Sequence, residues 1–156
     1  MAIKNIFTQI KTERTISEIE SILLKFGANG IYKEYQGNKI SGLMFFLLKD
    51  RQKIPFKIPM SIEKTRAIII KAVNEGKLPK RFLEEPLRSE QGERVVWRVI
   101  KDWIHSQLSL FEIEFADAIQ IMLPYAYNIV EKKTMYEQFL ENKEKFLALE
   151  SNGEEK

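Results

Sequence analysis

The stretch that decides the fold is residues 91–111, QGERVVWRVIKDWIHSQLSLF. Its apolar and amphipathic side chains recur every three or four residues, which is the spacing of one face of an α-helix. The side chains expected to face the core are Val96, Val99, Ile100, Trp103, Ile104, Gln107, Leu108 and Phe111. The sequence therefore predicts one long amphipathic helix that packs against the rest of the protein.

Another side of the same helix is basic. This basic stripe consists of Arg94, Arg98, Lys101 and His105, which follow the same helical spacing. Arginine and lysine in such a stripe are suited to contact phosphates, because they supply charge and orientation. The alternative is ion pairing between residues four apart, which stabilises a solvated helix. The two pairs with this spacing are Glu90–Arg94 and Arg98–Asp102.

Three aromatic residues in or near this helix allow two interpretations. Trp97 lies to one side of the apolar stripe, while Tyr125 and Tyr127 flank a turn that follows Pro124. Exposed aromatic rings can stack on nucleic-acid bases. Alternatively, Trp97 packs against a neighbouring helix, and the tyrosines belong to a surface for a protein partner.

The composition predicts a folded protein without disulfides. The chain has 156 residues, of which 44% are hydrophobic, enough for the core of one compact domain. The longest apolar run, residues 42–48, is strand-sized, and residues 1–11 lack a secretory signal, so we expect no membrane association. The absence of cysteine excludes thiol catalysis and cysteine-bound zinc, and it fits a cytoplasmic protein.

The charge of the chain is distributed unevenly. Residues 1–86 hold 16 Lys and Arg against 9 Asp and Glu, a balance of +7, whereas residues 87–156 hold 9 against 13, a balance of −4. A basic half attracts phosphates, although lysines also scatter over ordinary solvated surfaces. The basic residues expected to assist the stripe are Lys53, Lys57, Lys64, Lys71, Lys80 and Arg81.

The first half of the chain predicts a helix, three strands and a second helix. Thr15 and Glu18 have the spacing of a capping box at a helix start, and Ser61 is suited to cap the second helix. The run LMFFLL, residues 43–48, is apolar on both faces, so its strand should be central in the sheet. Pro55 and Pro59 place the third strand at an edge, because proline cannot donate to the ladder.

The predicted fold class is α+β. A small antiparallel sheet of three or four strands carries two helices, and a helical C-terminal half with one long amphipathic helix follows it. Residues 1–77 form the basic α-β-β-β-α half, 78–90 a connector, 91–150 a helical half packed with the first as one domain, and 151–156 a frayed tail. The predicted core contains Ile19, Leu23, Phe26, Phe45, Leu47, Phe56, Ile69, Val96, Ile100, Trp103 and Leu108.

Familiar catalytic and cofactor motifs do not occur in the sequence. His105 is the only histidine, and neither HExxH, a P-loop nor GxGxxG is present, so we expect no cofactor and name no catalytic residue. Glu34, Asp50 and Lys57 follow one another along the predicted strands. If these side chains converged, or if Glu114 took part, they could hold a metal ion for a nuclease.

One resemblance concerns residues 91–139. The residues that carry it are Glu93-Arg94-Val95-Val96-Trp97-Arg98-Val99-Ile100-Lys101-Asp102-Trp103, Gln107-Leu108 and Leu123-Pro124-Tyr125, with a weaker similarity at Glu13-Arg14-Thr15-Ile16. The pattern resembles a group of small phage and prophage proteins that have no established activity. The resemblance implies a viral protein in the host cytoplasm, from a replication or recombination module, and it assigns no catalytic residue.

These patterns lead to one main hypothesis and two alternatives. The main hypothesis is a non-enzymatic, phage-type protein that binds DNA or RNA by backbone electrostatics, through the basic stripe, Trp97 and the assisting lysines. The first alternative is a protein-interaction module: a viral adaptor, an inhibitor of a host factor, or a protein that self-associates through the helical half. The second alternative is the metal-dependent nuclease.

Overall fold

The computed structural model describes residues 3–58 and 60–146, and it has the predicted α+β architecture. Residues 147–150 of the predicted helical half and the predicted frayed tail lie outside the described residues. The helices are α1 (Thr12–Lys25), α2 (Ile62–Asn74), α3 (Leu87–Glu112), α4 (Ala118–Met122), α5 (Met135–Glu141) and α6 (Lys143–Phe146). The strands are β1 (Gly30–Gln36), β2 (Lys39–Lys49), β3 (Gln52–Ile58), β4 (Tyr127–Asn128) and β5 (Lys133–Thr134).

The main sheet is antiparallel and has the order β1-β2-β3. Strand β2 is central, as its apolar run predicts, and the proline-containing β3 is at an edge. Strands β4 and β5 form a separate two-stranded sheet, so the main sheet has three strands. A single bridge between Phe56 and Ala126 connects the free edge of β3 to the segment before β4.

Helix α3 is central to the packing because it contributes to both hydrophobic clusters. In the larger cluster, Trp97, Ile100 and Ile104 of α3 meet α1 and the inner face of the sheet. In the smaller cluster, Val95 meets α2 and the N-terminal arm, which we define as residues 3–10. Residues of both predicted halves therefore meet in the same core.

Helices α2 and α3 approach each other closely at Gly92. A Cβ atom at this position would lie 2.6 Å from the backbone oxygen of Thr65, closer than a carbon atom can come without displacement. Both residues are buried. The missing side chain of Gly92 thus allows the backbone of α2 to pack directly on α3.

Two predicted helix starts need correction, and the predicted cap at Ser61 is confirmed. Helix α3 begins at Leu87, inside the predicted connector, and α1 begins at Thr12. Thr15 is therefore inside α1 rather than at a capping position, and its buried hydroxyl forms no hydrogen bond with the part of the chain that the structure describes. Ser61 and Thr134 do cap α2 and α5, because their side chains accept hydrogen bonds from backbone amides three residues later.

The core prediction is correct for nine of its eleven residues. Val96 and Trp103 are only partly buried, whereas Trp97, which was not in the predicted core, is completely buried. The cause is the direction from which α1 and the sheet approach α3. The ring of Trp103 instead packs edge-on against that of Tyr125, with centroids 5.0 Å apart.

Within residues 3–58 and 60–146, no helix combines the length and the apolar character that crossing a membrane requires.

Candidate nucleic-acid interface

Glu18 joins α1 to the basic stripe of α3. Arg98 Nη1 donates a hydrogen bond to Glu18 Oε2 at 2.7 Å, and Arg14 Nε donates to Glu18 Oε1 at 3.3 Å. Only 14% of the Arg98 side chain is exposed, whereas 74% of the Arg14 side chain is exposed. Burial alone would raise the pKa of Glu18, but the hydrogen bond and charge of Arg98, assisted by Lys101 and Arg14, hold it below its ordinary value.

The second acidic group is Asp102, which is on α3 and binds the N-terminal arm. Asn5 Nδ2 donates to Asp102 Oδ2 at 2.9 Å, and Lys4 Nζ lies 3.1 Å from the same oxygen. Lys101 Nζ is 3.7 Å from Asp102 Oδ1. Burial raises the pKa of Asp102, but the contacts with Asn5, Lys4 and Lys101 outweigh it and leave the pKa lowered.

These contacts define what we call the α1–α3 cationic cluster. It consists of the cations Lys4, Arg14, Arg98 and Lys101 and the carboxylates of Glu18 and Asp102. Four positive charges surround two negative ones, so the cluster keeps a surplus of positive charge. A surplus of this kind raises the local concentration of polyanions and can contact phosphates.

The other two residues of the basic stripe extend this surface. Arg94 lies one helical turn before Arg98, is partly exposed, and forms no ion pair within the described part of the chain. His105 is exposed one turn beyond Lys101. Arg98 binds Glu18 of α1, so the hypothesised pairing of Arg98 with Asp102 along the helix is replaced by contacts between elements.

Trp97 is not available for stacking on a base. Its side chain is completely buried in the larger hydrophobic cluster. The packing interpretation of this residue is therefore correct, and its inclusion among nucleic-acid-binding residues is wrong. Its indole Nε1 has no hydrogen-bond partner among the described residues.

The six assisting basic residues lie on three other elements. Lys53 and Lys57 are on β3, Lys64 and Lys71 are on α2, and Lys80 and Arg81 are on the 3₁₀ turn Lys80–Leu83. No hydrogen bond or ion pair among the described residues connects them to the cationic cluster. Some are already paired, since Lys57 contacts Glu34 and Lys71 contacts Glu75. The structure therefore does not gather them around the stripe.

Sequence reasoning missed two cations of the cluster and one buried acid elsewhere on α3. Lys4 and Arg14 lie far from α3 in sequence, although the spacing of Arg14 and Glu18 is that of an ion pair on a helix. Glu93 is also unexpected, because it is a buried acid whose Oε1 lies 3.0 Å from Lys39 Nζ. A polar cleft of about 500 Å³ opens beside Glu93 and is lined by Gln36, Ser41, Ser61 and Arg66.

The acidic residues considered for a metal site do not converge. Glu34 is opposite Gly42, near the start of β2, and its Oε1 accepts a hydrogen bond from Lys57. Asp50 follows the far end of β2. At about 3.3 Å per strand residue, positions 42 and 50 are roughly 26 Å apart. The described residues contain no group of three or more histidine and acidic side chains placed to hold a metal ion.

An apolar groove of about 660 Å³ lies on another side of α3. Its apolar walls include Ile58, Ile68, Val96, Val99, Ile100 and Tyr125, and Lys57, Lys64 and Glu137 contribute the charged groups. Val96 and Val99 line this groove, which explains why part of the predicted core stripe remains accessible. The groove has the size and apolar walls of a site for a small ligand or a docked side chain.

Comparison of the chain with known protein families, with curated proteins and with solved structures finds no match.

Proposed function

We propose that this chain is a non-enzymatic nucleic-acid-associated protein that binds the phosphate backbone of DNA or RNA at the α1–α3 cationic cluster. The observation that carries the proposal is the gathering of four cations around only two carboxylates. Backbone binding of this kind needs surplus charge rather than a set of base-specific contacts.

The cations of the cluster have different roles in this proposal. Arg98 and Lys101 are mostly buried and form ion pairs with the two carboxylates. Their charges therefore add to the positive electrostatic potential of the surface without contacting a phosphate directly. Lys4 and Arg14 are 72% and 74% exposed, and Arg94 has no ion pair among the described residues. These three side chains are therefore the ones that can reach a phosphate. An accessory role in replication or recombination, which the resemblance of residues 91–139 to phage proteins implies, is part of this proposal.

The test is a fluorescence-anisotropy titration with labelled single-stranded and duplex oligonucleotides at about 50 and about 200 mM salt, the range in which phosphate contacts show their salt dependence. A triple variant, Lys4→Ala/Arg14→Ala/Arg94→Ala, should bind more weakly and show a salt slope reduced by about one per lost contact.

A matched control removes the same charge elsewhere. Lys25, Lys143 and Lys145 are exposed and form no ion pair within residues 3–58 and 60–146. The variant Lys25→Ala/Lys143→Ala/Lys145→Ala should keep most of the wild-type affinity. The proposal is wrong if the wild type does not bind at the lower salt concentration, or if both triple variants lose affinity equally.

A second candidate function is protein interaction through the C-terminal half. Its support is the apolar groove together with exposed apolar side chains beyond α3, among them Phe115 at 76% and Val130 at 91% exposure. Exposed apolar surface of this extent commonly marks an interaction site. Light scattering tests the self-associating form: a dimer that becomes monomeric on Phe115→Ser would support it, and a monomeric wild type would contradict it.

A further inference from the structure

The outer face of the main sheet is the face turned away from α1 and α3. Side chains alternate along each strand, and the inner set, including Leu43, Phe45 and Phe56, is buried in the larger cluster. The outer set is Tyr32, Glu34, Met44, Phe46, Leu48, Lys53, Pro55 and Lys57. None of these outer residues belongs to either hydrophobic cluster of the described chain. Of these outer residues, Tyr32, Leu48 and Lys53 are exposed and the other five are partly exposed.

Aromatic and apolar groups dominate the centre of this outer face. Tyr32 is opposite Met44, and Phe46 is opposite Gly30, so the two aromatic residues are diagonal neighbours on adjacent strands. Diagonal neighbours are about 7–8 Å apart, close enough to form one continuous surface. Tyr32 is 56% exposed. Two rings therefore lie side by side, that of Tyr32 exposed and that of Phe46 partly exposed.

Gly30 on β1 and Gly42 on β2 place no side chain on the outer face. A Cβ at Gly30 would lie 3.4 Å from the ring of Phe46. The ring therefore covers the backbone of β1 at Gly30, which has no side chain. A Cβ at Gly42 would lie 2.7 Å from Glu34 Oε2, so the Glu34 side chain crosses β2 in the same way. Small residues at these positions leave the surface flat, which suits a planar ligand.

Among the described residues, the charged groups at this face leave one cation, Lys53, without an ion pair. Lys57 Nζ donates to Glu34 Oε1 at 3.3 Å and lies 5.2 Å from the ring centroid of Tyr127. Lys53 is exposed and has no ion pair within the described residues, and it is opposite Leu48, next to Phe46 on the same face. The face thus combines aromatic rings with an adjacent unpaired positive charge.

We propose that this outer face binds single-stranded nucleic acid, with unpaired bases stacked on Tyr32 and Phe46 and a phosphate bound by Lys53. Stacking on exposed aromatic side chains beside cations is how many proteins hold single strands without reading their sequence. The unpaired charge of Lys53 beside the two rings is what favours an anionic single strand over a protein partner. The proposal rests on the proposed function and adds to it the kind of strand bound.

The test compares Tyr32→Ala with Tyr32→Phe, which keeps the ring and removes only the hydroxyl. Anisotropy is measured with a labelled thymidine oligonucleotide and with a duplex of equal length. Tyr32→Ala should weaken single-strand binding about tenfold, since stacking contributes strongly for each base. Tyr32→Phe should bind as the wild type does, and duplex binding should be unchanged in both variants. Thermal unfolding followed by circular dichroism checks that both remain folded.

The outcomes separate this inference from the proposed function. If Tyr32→Ala and Lys53→Ala leave single-strand binding unchanged while Lys4→Ala/Arg14→Ala/Arg94→Ala weakens it, the sheet-face inference is overturned and the cationic cluster stands. If Tyr32→Ala and Lys53→Ala weaken single-strand binding while the triple variant leaves it unchanged, the inference stands and the proposed binding site at the cationic cluster is wrong. If the wild type is a dimer that Tyr32→Ala dissociates, the face is an interface between copies of this chain and the inference is overturned.

Discussion

Arg98 Nη1 lies 2.7 Å from Glu18 Oε2, and this contact joins α3 to α1 across 80 positions of sequence. The arginine is mostly buried, so its guanidinium holds two helices together before it can meet any ligand. Arg98 is thus a structural cation of the cluster, unlike the exposed Lys4 and Arg14. Its truncation would disturb the packing of α1 on α3, so it is a poor test of nucleic-acid binding.

We expect Arg98→Ala to lower the free energy of unfolding by about 1–3 kcal/mol, because a charge-assisted hydrogen bond is lost and Glu18 keeps only its weaker partners. Urea denaturation measures the effect. Arg98→Lys keeps the charge without the planar guanidinium and should fall between wild type and Arg98→Ala. Equal stability of Arg98→Ala and wild type would show that the contact contributes nothing.

Stability should decrease in acid through Glu18 and Asp102. Both pKa values are lowered by folding from ordinary values of 4.5 and 3.8. Groups with lowered pKa values stabilise the protein fully above their ordinary pKa and lose this contribution as the pH falls through the folded value. Urea midpoints measured between about pH 7 and pH 3 should therefore fall, and Glu18→Gln/Asp102→Asn should reduce the dependence. A variant with the same pH dependence as the wild type would rule out these two carboxylates as its source.

Gly92→Ala should destabilise the protein although alanine favours helices. The added methyl group would lie 2.6 Å from the Thr65 backbone oxygen, so α2 and α3 must move apart. Overpacking typically costs about 1–3 kcal/mol, which exceeds the gain in helix propensity of about 1 kcal/mol over nearly all of that range. Thermal unfolding should show a lower midpoint. Ser106→Ala, an exposed change on the same helix, is the control and should leave the midpoint nearly unchanged.

Gln91→Ala should loosen the N-terminal arm. Gln91 Nε2 donates to the backbone oxygens of Ile6, at 2.8 Å, and Thr8, at 3.1 Å. Without the amide these oxygens lose their donor, at a cost of about 1–3 kcal/mol. Hydrogen exchange should become faster in the arm and remain unchanged in β2. Gln107→Ala, on the same helix, is the control and should leave exchange in the arm unchanged. If exchange in the arm of Gln91→Ala is as slow as in the wild type, Gln91 does not anchor the arm.

The three strands of the main sheet could be predicted because their patterns depend on local rules, whereas the short pair β4–β5 was not predicted. The range of β2 follows from its apolar run and the flanking turns, and the edge position of β3 follows from Pro55. The burial of Trp97 could not be predicted, because helical spacing defines the faces of α3 but not the directions from which α1, α2 and the sheet approach. The stripe could likewise be identified, whereas Glu18 and Lys4 reach it from distant segments.

The central position of α3 also has a consequence for how the chain is made. The inner face of the sheet is complete once Ile58 has been synthesised, but its partners Trp97, Ile100 and Ile104 come about 40 residues later. At roughly 5–20 residues per second, a ribosome needs about 2–9 s to add them. During that interval Phe45 and Phe56 have only α1 to cover them, so the nascent chain is most exposed to aggregation and chaperone binding before α3 emerges.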